Sequence, residues 1–199
     1  MPRTKEQFNE IREKTKQSII DSGLKLFAQR GYYGTSIADI AKEAGVSKGL
    51  AYNYFKSKSD LAEAIFAQIY SFFEQYEIMF SEISDPYGLI ETMIKETFKH
   101  LRENEEFWRL YISFALQWEV STKMKVMFKE IEQSYLKKMV NIFKKIGVKN
   151  SKTEAYILGA MFDGISIDYL LDKDNYPLSK VEKIMLNKYS KEQMQRYTK

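Results

Sequence analysis

Apolar residues recur along this chain mostly at intervals of three and four, the spacing that places them on one face of an α-helix. Glycine and proline are scarce, with 9 and 3 in 199 residues, and no segment convincingly alternates apolar and polar positions as a half-buried strand does. The pattern predicts an all-α protein of about nine helices. Their predicted ranges are 6–30, 37–44, 48–55, 58–83, 86–103, 105–119, 122–146, 152–171 and 179–195.

Polar residues at the predicted helix starts support these boundaries. Four serines precede an acidic residue by three positions, which is the spacing of a capping box. These pairs are Ser36 with Asp39, Ser57 with Asp60, Ser151 with Glu154, and Ser179 with Glu182. Asp85-Pro86 predicts a fifth start, because proline suits the first helical position. Gly31, Gly45 and Gly147 predict helix ends.

Residues 35–58 contain the most informative local pattern, two short helices joined by Ala44-Gly45-Val46-Ser47. Ile37, Ile40 and Ala41 have the spacing of an inward face, and glycine in the turn adopts left-handed backbone at no steric cost. Two short helices with a tight turn predict a helix-turn-helix, which places its second helix in the major groove of DNA. A three-helix packing unit without a ligand is the alternative.

The second helix of this motif has a polar and an apolar side. Side chains four residues apart share a helix face, which predicts one polar reading face. It consists of Lys48, Gly49, Tyr52 and Asn53. The residues expected to pack inward are Leu50, Ala51 and Phe55. Lysine and asparagine suit base edges or phosphates, and the hydroxyls of Tyr52 and Tyr54 suit phosphate oxygens. Lys58 adds a cation at the next helix start, where anions bind.

The distribution of charge agrees with this interpretation. Residues 1–60 hold 11 Lys and Arg against 7 Asp and Glu, whereas residues 61–199 hold 20 of each. The whole net charge of +4 therefore lies in the segment that is predicted to meet DNA. The first residues, Pro2-Arg3-Thr4-Lys5, could reach the minor groove or a phosphate, or form a mobile end.

Residues 12–64 resemble the DNA-binding domain of the TetR (tetracycline repressor) family. The matching segments include Gly34-Thr35-Ser36, Ala44-Gly45-Val46-Ser47-Lys48-Gly49, Tyr54-Phe55 and Lys56-Ser57-Lys58. The resemblance implies DNA contacts by Thr35, Ser36, Ser47, Lys48, Gly49, Tyr52, Asn53, Tyr54 and Lys58. Two departures, Ser22-Gly23 where Ala is usual and Ala51 where a larger apolar residue is common, suggest a slightly loose domain.

The resemblance also implies an architecture, with a helix-turn-helix DNA-binding domain at 1–58 and a helical regulatory and dimerisation domain at 59–199. In this family the two terminal helices usually pair with those of a second copy. The implied dimer-interface residues are Leu158, Phe162, Ile165, Tyr169, Val181, Ile184 and Met185. Packing of the same residues inside one chain is the alternative.

Aromatic residues are frequent after residue 60, and spacing alone favours a core over a ligand site. The resemblance implies a small-molecule cavity among the fourth to seventh helices. The implied pocket residues are Phe66, Tyr70, Phe98, Phe107, Tyr111, Phe114 and Trp118. Aromatic walls suit a flat hydrophobic ligand, and acidic neighbours such as Glu119 would favour a cation.

The chain offers little for catalysis. It has no cysteine and one histidine, so a thiolate metal site, a metal cluster and a Cys–His pair are excluded. We expect His100 to be a solvated surface residue, and we expect no cofactor and no enzyme activity. No apolar run approaches the length of a membrane span and no signal core follows Met1, which favours a cytoplasmic protein without a membrane partner.

The sequence therefore favours a homodimeric transcription regulator, most simply a repressor of a pseudo-palindromic operator in double-stranded DNA that a small hydrophobic effector releases. The alternative is a ligand-independent factor, bound to DNA in an architectural role or recruiting a partner protein.

Overall fold

The computed structural model describes residues 4–116 and 122–197. Within these ranges the chain forms ten helices and no strand, so the predicted all-α fold is confirmed. The helices are α1 (Lys5–Arg30), α2 (Ile37–Glu43), α3 (Lys48–Tyr54), α4 (Lys58–Ser81), α5 (Pro86–Glu103), α6 (Glu105–Leu116), α7 (Thr122–Ile146), α8 (Ser151–Leu171), α9 (Leu178–Lys188) and α10 (Lys191–Tyr197).

The predicted last helix, 179–195, is two helices because the chain turns at Tyr189 and Ser190. The Tyr189 side chain is buried, and its hydroxyl donates to the Glu154 carboxylate at 2.9 Å. The Ser190 hydroxyl then accepts from the amide of Gln193 at 3.4 Å, at the start of α10. An inward-turned tyrosine thus ends α9, and a serine begins the next helix.

The serine caps are confirmed for α2 and α4 and wrong for α8 and α9. Ser36 forms a capping box with Asp39, and Ser57 accepts from the amide of Asp60 at 3.0 Å. In α8 the N-cap is Asn150, and the Ser151 hydroxyl donates to the carbonyl of Val148. In α9 the N-cap is Pro177, and Glu182 forms an ion pair with Arg102 instead. The two carboxylates on which those predictions depended bond to distant residues instead, Glu154 to Tyr189 and Glu182 to Arg102.

One compact unit contains the described residues of Met1–Ser71 and Arg109–Lys125. Its core joins the second half of α1 to the start of α4, and Gly23 is the point of closest approach. A Cβ atom at Gly23 would lie 2.9 Å from Cδ1 of Ile65 and 3.2 Å from Cδ2 of Leu61. Both of these side chains are fully buried. Glycine at this position, where alanine is usual, therefore permits close packing of two helices.

The second compact unit contains Phe72–Trp108 and the described residues of Val126–Lys199. Its core consists of apolar side chains from α5, α7, α8 and α9, among them Ile90, Phe98, Phe143, Leu158 and Met185. Lys173 and Glu105 form an ion pair at 3.0 Å at its surface. In the described parts of the chain, no helix combines the length and the apolar character needed to cross a bilayer.

Candidate nucleic-acid interface

The turn between α2 and α3 has the geometry that the sequence predicts. Gly45 has φ of 69°, in the left-handed region, and its amide donates to the carbonyl of Lys42 at 3.2 Å. The amide of Val46 donates to the carbonyl of Ala41 at 2.9 Å, which closes the end of α2. The Ser47 hydroxyl accepts from the amide of Leu50 at 3.1 Å and caps α3. These bonds fix the direction in which α3 leaves the turn.

The four residues of the predicted reading face are all exposed on α3. Tyr52 has 41% of its surface exposed, and the Lys48 ammonium lies 6.0 Å from the centroid of its ring. Open space surrounds the position where a Cβ atom of Gly49 would stand. The structure thus presents Lys48, Gly49, Tyr52 and Asn53 to solvent, with no protein atom in front of the Gly49 backbone.

Leu50 does not pack inward as predicted. It is 38% exposed, whereas Ala51 and Phe55 are buried at 1% and 5%. Successive residues of a helix are about 100° apart, so a side defined by Ala51 and Phe55 leaves Leu50 outside it. Leu50 instead lies within about 60° of Asn53 around the helix axis, which adds an apolar side chain next to the reading face.

Thr35 and Ser36, for which the resemblance implies DNA contacts, have structural roles just before α2. Thr35 is 2% exposed, and its hydroxyl donates to the carbonyls of Leu26 and Gly31 at 3.3 and 3.0 Å. Its side chain is therefore turned into the protein, away from a DNA surface. Ser36 is exposed, but its hydroxyl is the N-cap of α2 and bonds to Asp39. The hydroxyl of Ser36 also lowers the pKa of the Asp39 carboxyl.

Lys58 is half-buried at the start of α4, and its ammonium binds the chain itself. It donates to the carbonyls of Tyr32 and Thr35 at 2.8 and 3.0 Å, and it lies 4.3 Å from the centroid of the Tyr32 ring. The side chain thereby joins α4 to the loop between α1 and α2. The sequence predicted an anion-binding cation here, and the structure gives Lys58 a positioning role.

An open hollow of about 380 Å³ lies beside this loop, with Ser36, Tyr52 and Lys58 on its walls. Tyr33 also lines it and is 71% exposed. Tyr33 was not among the residues predicted for the site, although it closely follows a helix-ending glycine, Gly31. Arg12 was also missed, and its guanidinium carbon lies 6.0 Å from the ring centroid of half-buried Tyr54.

The residues implied for a dimer interface divide between the core and the surface. Leu158, Tyr169 and Met185 are buried inside the second unit, which favours the alternative of packing within one chain for these three residues. Phe162, Ile165 and Val181 are half-buried, and Ile184 is 60% exposed. Another side of α8 is apolar and exposed, at positions that recur every three or four residues. It consists of Ile157, Ala160, Gly164, Ile167 and Leu171.

The aromatic residues implied for a pocket differ in how deeply they are buried. Phe66 in the first unit and Phe98 in the second are fully buried, as core residues are. Tyr70 and Tyr111 of the first unit and Phe107 of the second are half-buried. The backbone of Phe114 is helical but its side chain lies outside the described part of the structure, as do Trp118 and Glu119 entirely.

His100 is not the solvated surface residue that the sequence predicted. It is half-buried in the second unit, with its ring edge-on to Phe107 and Trp108 at centroid distances of 4.8 and 5.9 Å. Burial among these rings lowers the pKa of His100 to about 4. Across residues 4–116 and 122–197, no three acidic or histidine side chains come together as metal ligands.

Lys58 and Lys48 were both predicted to contact DNA, but their replacement should affect stability differently. Replacing Lys58 by Met removes two charge-assisted hydrogen bonds, so we expect the free energy of unfolding to fall by about 1–2 kcal/mol. Replacing exposed Lys48 by Met should change it by less than about 0.5 kcal/mol. Thermal and urea denaturation of the two variants and the parent protein measure this difference. Equal stability of the two variants would contradict the positioning role of Lys58.

Comparison with known proteins places the motif in a family. Residues 19–65 match the bacterial regulatory proteins of the tetR family. The HTH-type transcriptional regulator AcrR of Shigella flexneri is 49% identical over 53 residues, 27% of this chain and 25% of AcrR. An uncharacterized HTH-type transcriptional regulator of Bacillus subtilis (strain 168), YuxN, is 30% identical over 172 residues, 80% of this chain and 55% of YuxN. The matches thus span from a quarter to about half of these two relatives.

A third relative matches more of its own length. IcaR of Staphylococcus aureus (strain Newman), the negative transcriptional regulator of the biofilm operon icaADBC, is 26% identical over 149 residues, 74% of this chain and 79% of IcaR. These relatives are named as transcriptional regulators and not as enzymes, in agreement with the prediction from the sequence.

Solved structures share the fold. NalD of Pseudomonas aeruginosa, the secondary repressor of the MexAB-OprM multidrug efflux pump, superposes with a TM-score of 0.71 and 21% identity over 94% of this chain and 96% of NalD. FadR of Bacillus subtilis in complex with stearoyl-CoA superposes with a TM-score of 0.67 and 21% identity over 87% of this chain and 96% of FadR. Residues 19–65 therefore carry the DNA-binding motif of the tetR family of bacterial regulatory proteins, and the chain shares the all-α fold of these two solved regulators.

Proposed function

We propose that this protein is a homodimeric repressor that binds an inverted-repeat operator in double-stranded DNA and is released by a small hydrophobic molecule. The exposed reading face of α3 carries the DNA-binding part of the proposal. A rigid capped turn presents a lysine, an open glycine backbone, a tyrosine and an asparagine on one surface. This is the chemistry with which a helix contacts base edges and phosphates in a major groove.

Each side chain has a proposed role in the complex. Lys48 contacts guanine O6/N7 or a phosphate, and Asn53 contacts an adenine edge or a phosphate. The hydroxyl of Tyr52 donates to a phosphate oxygen, and the backbone at Gly49 approaches the groove wall. Leu50 joins this set because of its exposure, since an apolar side chain in the major groove contacts the methyl group of thymine. Ser47 and Tyr54 flank the reading face as phosphate contacts.

The exposed apolar side of α8 supports the dimer. Ile157, Gly164, Ile167 and Leu171 lie within about 80° around the helix axis, opposite the side that is buried in the chain. Leu171 is 79% exposed, and a continuous apolar side of this kind is typical of an interface. Gly164 has open space around it, which permits close approach of a second helix. We assign residues 1–58 to DNA binding and residues 59–199 to regulation and dimerisation.

Dimerisation sets the geometry of the operator. Two helix-turn-helix units related by a twofold axis read two half-sites about 34–36 Å apart, which is one turn of DNA. An effector that binds better to a state with another spacing weakens operator binding. A hundredfold loss of affinity requires about 2.7 kcal/mol of differential binding between the two states. Because the operator lies on the chromosome, the proposal implies a cytoplasmic protein.

The repressor and effector parts of the proposal have support from relatives. IcaR is named a negative regulator and NalD a repressor, and FadR of Bacillus subtilis was solved with stearoyl-CoA. One observation favours the alternative of a ligand-independent factor, whether architectural or partner-recruiting. Phe66 and Phe98, which the family resemblance assigns to a pocket, are fully buried as core residues are.

Operator binding is tested with duplexes from the intergenic DNA next to the gene. We expect fluorescence anisotropy to show a preference for an inverted repeat over unrelated DNA at moderate salt. Replacing Lys48 by Ala, or Tyr52 by Phe, should weaken this binding about tenfold or more, because each removes a donor to the DNA. Neither variant should lower the melting temperature, since both side chains are exposed. Absence of any sequence preference would contradict the proposed function.

The dimer interface is tested on the exposed side of α8. Replacing Ile167 by Glu places a charge on the proposed interface, so we expect a monomer by sedimentation and loss of operator affinity. Replacing Ile78 by Glu on α4 is the matched control, because Ile78 is also exposed, at 68%, and lies outside α8. The proposed interface is wrong if the Ile167→Glu variant remains a dimer.

An effector is sought with two kinds of probe, stearoyl-CoA and the hydrophobic cation tetraphenylphosphonium. A ligand at 100 times its dissociation constant should stabilise the protein by about 2.7 kcal/mol in a thermal-shift assay. The same ligand should lower operator affinity in the anisotropy assay. Operator binding that neither these nor a wider set of hydrophobic compounds changes would support the ligand-independent alternative.

A further inference from the structure

The first half of α1 extends beyond the core of the first unit. Residues 5–17 are exposed apart from half-buried Thr15, and the first buried residue is Ile19. Local interactions stabilise this segment as a helix. Thr4 and Gln7 form a capping box, and Glu10 and Lys14 form an ion pair at 2.7 Å. Thr4 and Lys5 therefore begin a helix of more than three turns that stands clear of the packed part of the unit.

Charges of opposite sign lie on different sides of this segment. Lys5, Arg12 and Lys16 are separated by seven and four residues, so they lie within about 40° of one another around the helix axis. We call these three residues the basic stripe of α1. Glu6, Glu10 and Glu13 lie within about 60° of one another, and their side is centred about 110° from the basic stripe.

One contact shows where the basic stripe faces. The guanidinium carbon of Arg12 lies 6.0 Å from the ring centroid of Tyr54, at the end of α3. Because Arg12 is the middle member, the stripe lies on the side of α1 that faces the end of α3. Lys14, in contrast, is about 160° away from Lys16 and pairs with Glu10.

We propose that the basic stripe of α1 binds the phosphate backbone of the same DNA duplex that α3 reads. Three cations in a row along a helix suit a row of phosphates, and the acidic side of α1 is turned away from the polyanion. Arg12 and Tyr54 together form one anchor, in which the ring holds the guanidinium and both groups donate to phosphate oxygens. This inference rests on the proposed DNA binding.

Such contacts have a recognisable energetic signature. Each phosphate that a lysine or arginine neutralises releases counterions and adds about 0.9 to the slope of log Kobs against log salt. Contacts to the backbone carry no sequence information, so their loss weakens binding to operator and to unrelated DNA by a similar factor. The loss of a base contact by α3 would instead act mainly on the operator.

The test compares two double variants of the full-length protein. Arg12→Gln with Lys16→Gln removes two members of the stripe, and Lys14→Gln with Lys25→Gln removes equal charge from the opposite side of α1. Lys14 is exposed and Lys25 is half-buried, and they are paired with Glu10 and Glu43. Circular dichroism and the melting temperature establish whether both variants fold. We expect both to fold, because glutamine has a high helix propensity.

We expect the stripe variant to lose about 3.6 from the salt slope of a dimer, for four lost contacts, on operator and unrelated duplexes alike. The control variant should keep the parent slope within about 1. Replacing Arg12 and Lys16 by the other basic residue, Arg12→Lys with Lys16→Arg, should preserve the slope because charge carries the effect. Equal slopes for the stripe and control variants would overturn the inference.

The same proteins distinguish failure of this inference from failure of the proposed function. They also distinguish DNA from another anionic partner of the stripe. If the parent protein binds all duplexes alike but the stripe variant loses slope, the proposed operator recognition fails and the backbone contact stands. Vesicles of phosphatidylglycerol and phosphatidylcholine test a membrane surface. Loss of vesicle binding in the stripe variant with an unchanged slope on DNA would assign the stripe to anionic lipid and overturn the inference.

Discussion

One ammonium group joins α4 to the loop that leads into the helix-turn-helix. Lys58, at the start of α4, donates to two carbonyls in the loop that leads from α1 to α2, and its charge lies over the Tyr32 ring. Thr35 fixes the other side of that loop through the carbonyls of Leu26 and Gly31. These contacts tie the first turn of α4 to the loop before α2. The proposed release of DNA by an effector requires a connection of this kind.

The short length of α3 explains why its surroundings are so strongly constrained. An isolated helix of seven residues is unstable in water, so its order comes from the Ser47 cap and from burial of Ala51 and Phe55. A narrow buried side leaves the rest of the helix to solvent, which exposes Leu50 together with the polar residues. Ala51 is itself fully buried, and Gly23 brings α1 and α4 close together elsewhere in the same core.

Helix α8 illustrates the limit of reading interfaces from an apolar pattern. Apolar residues surround much of α8, and one side, with Leu158 and Tyr169, is buried in its own chain. The other side, with Ile167 and Leu171, is exposed. Both sides show the same spacing in the sequence, so periodicity identified a helix with two apolar sides and could not say which belonged to the core. His100 was misjudged for a related reason, since the rings that bury it come from a different helix.

Interactions between residues close in the chain specify the helical class, the positions of α2, the turn and α3, and the polar residues on α3, and all of these were predictable from the sequence. Glycine at the turn, serine at the caps and four-residue spacing specify them locally. Three features came from long-range packing instead: Thr35 and Lys58 stabilise a loop, Leu50 is exposed, and Arg12 contacts Tyr54. Each of these depends on which distant backbone or ring a side chain meets, and local spacing holds no information about that.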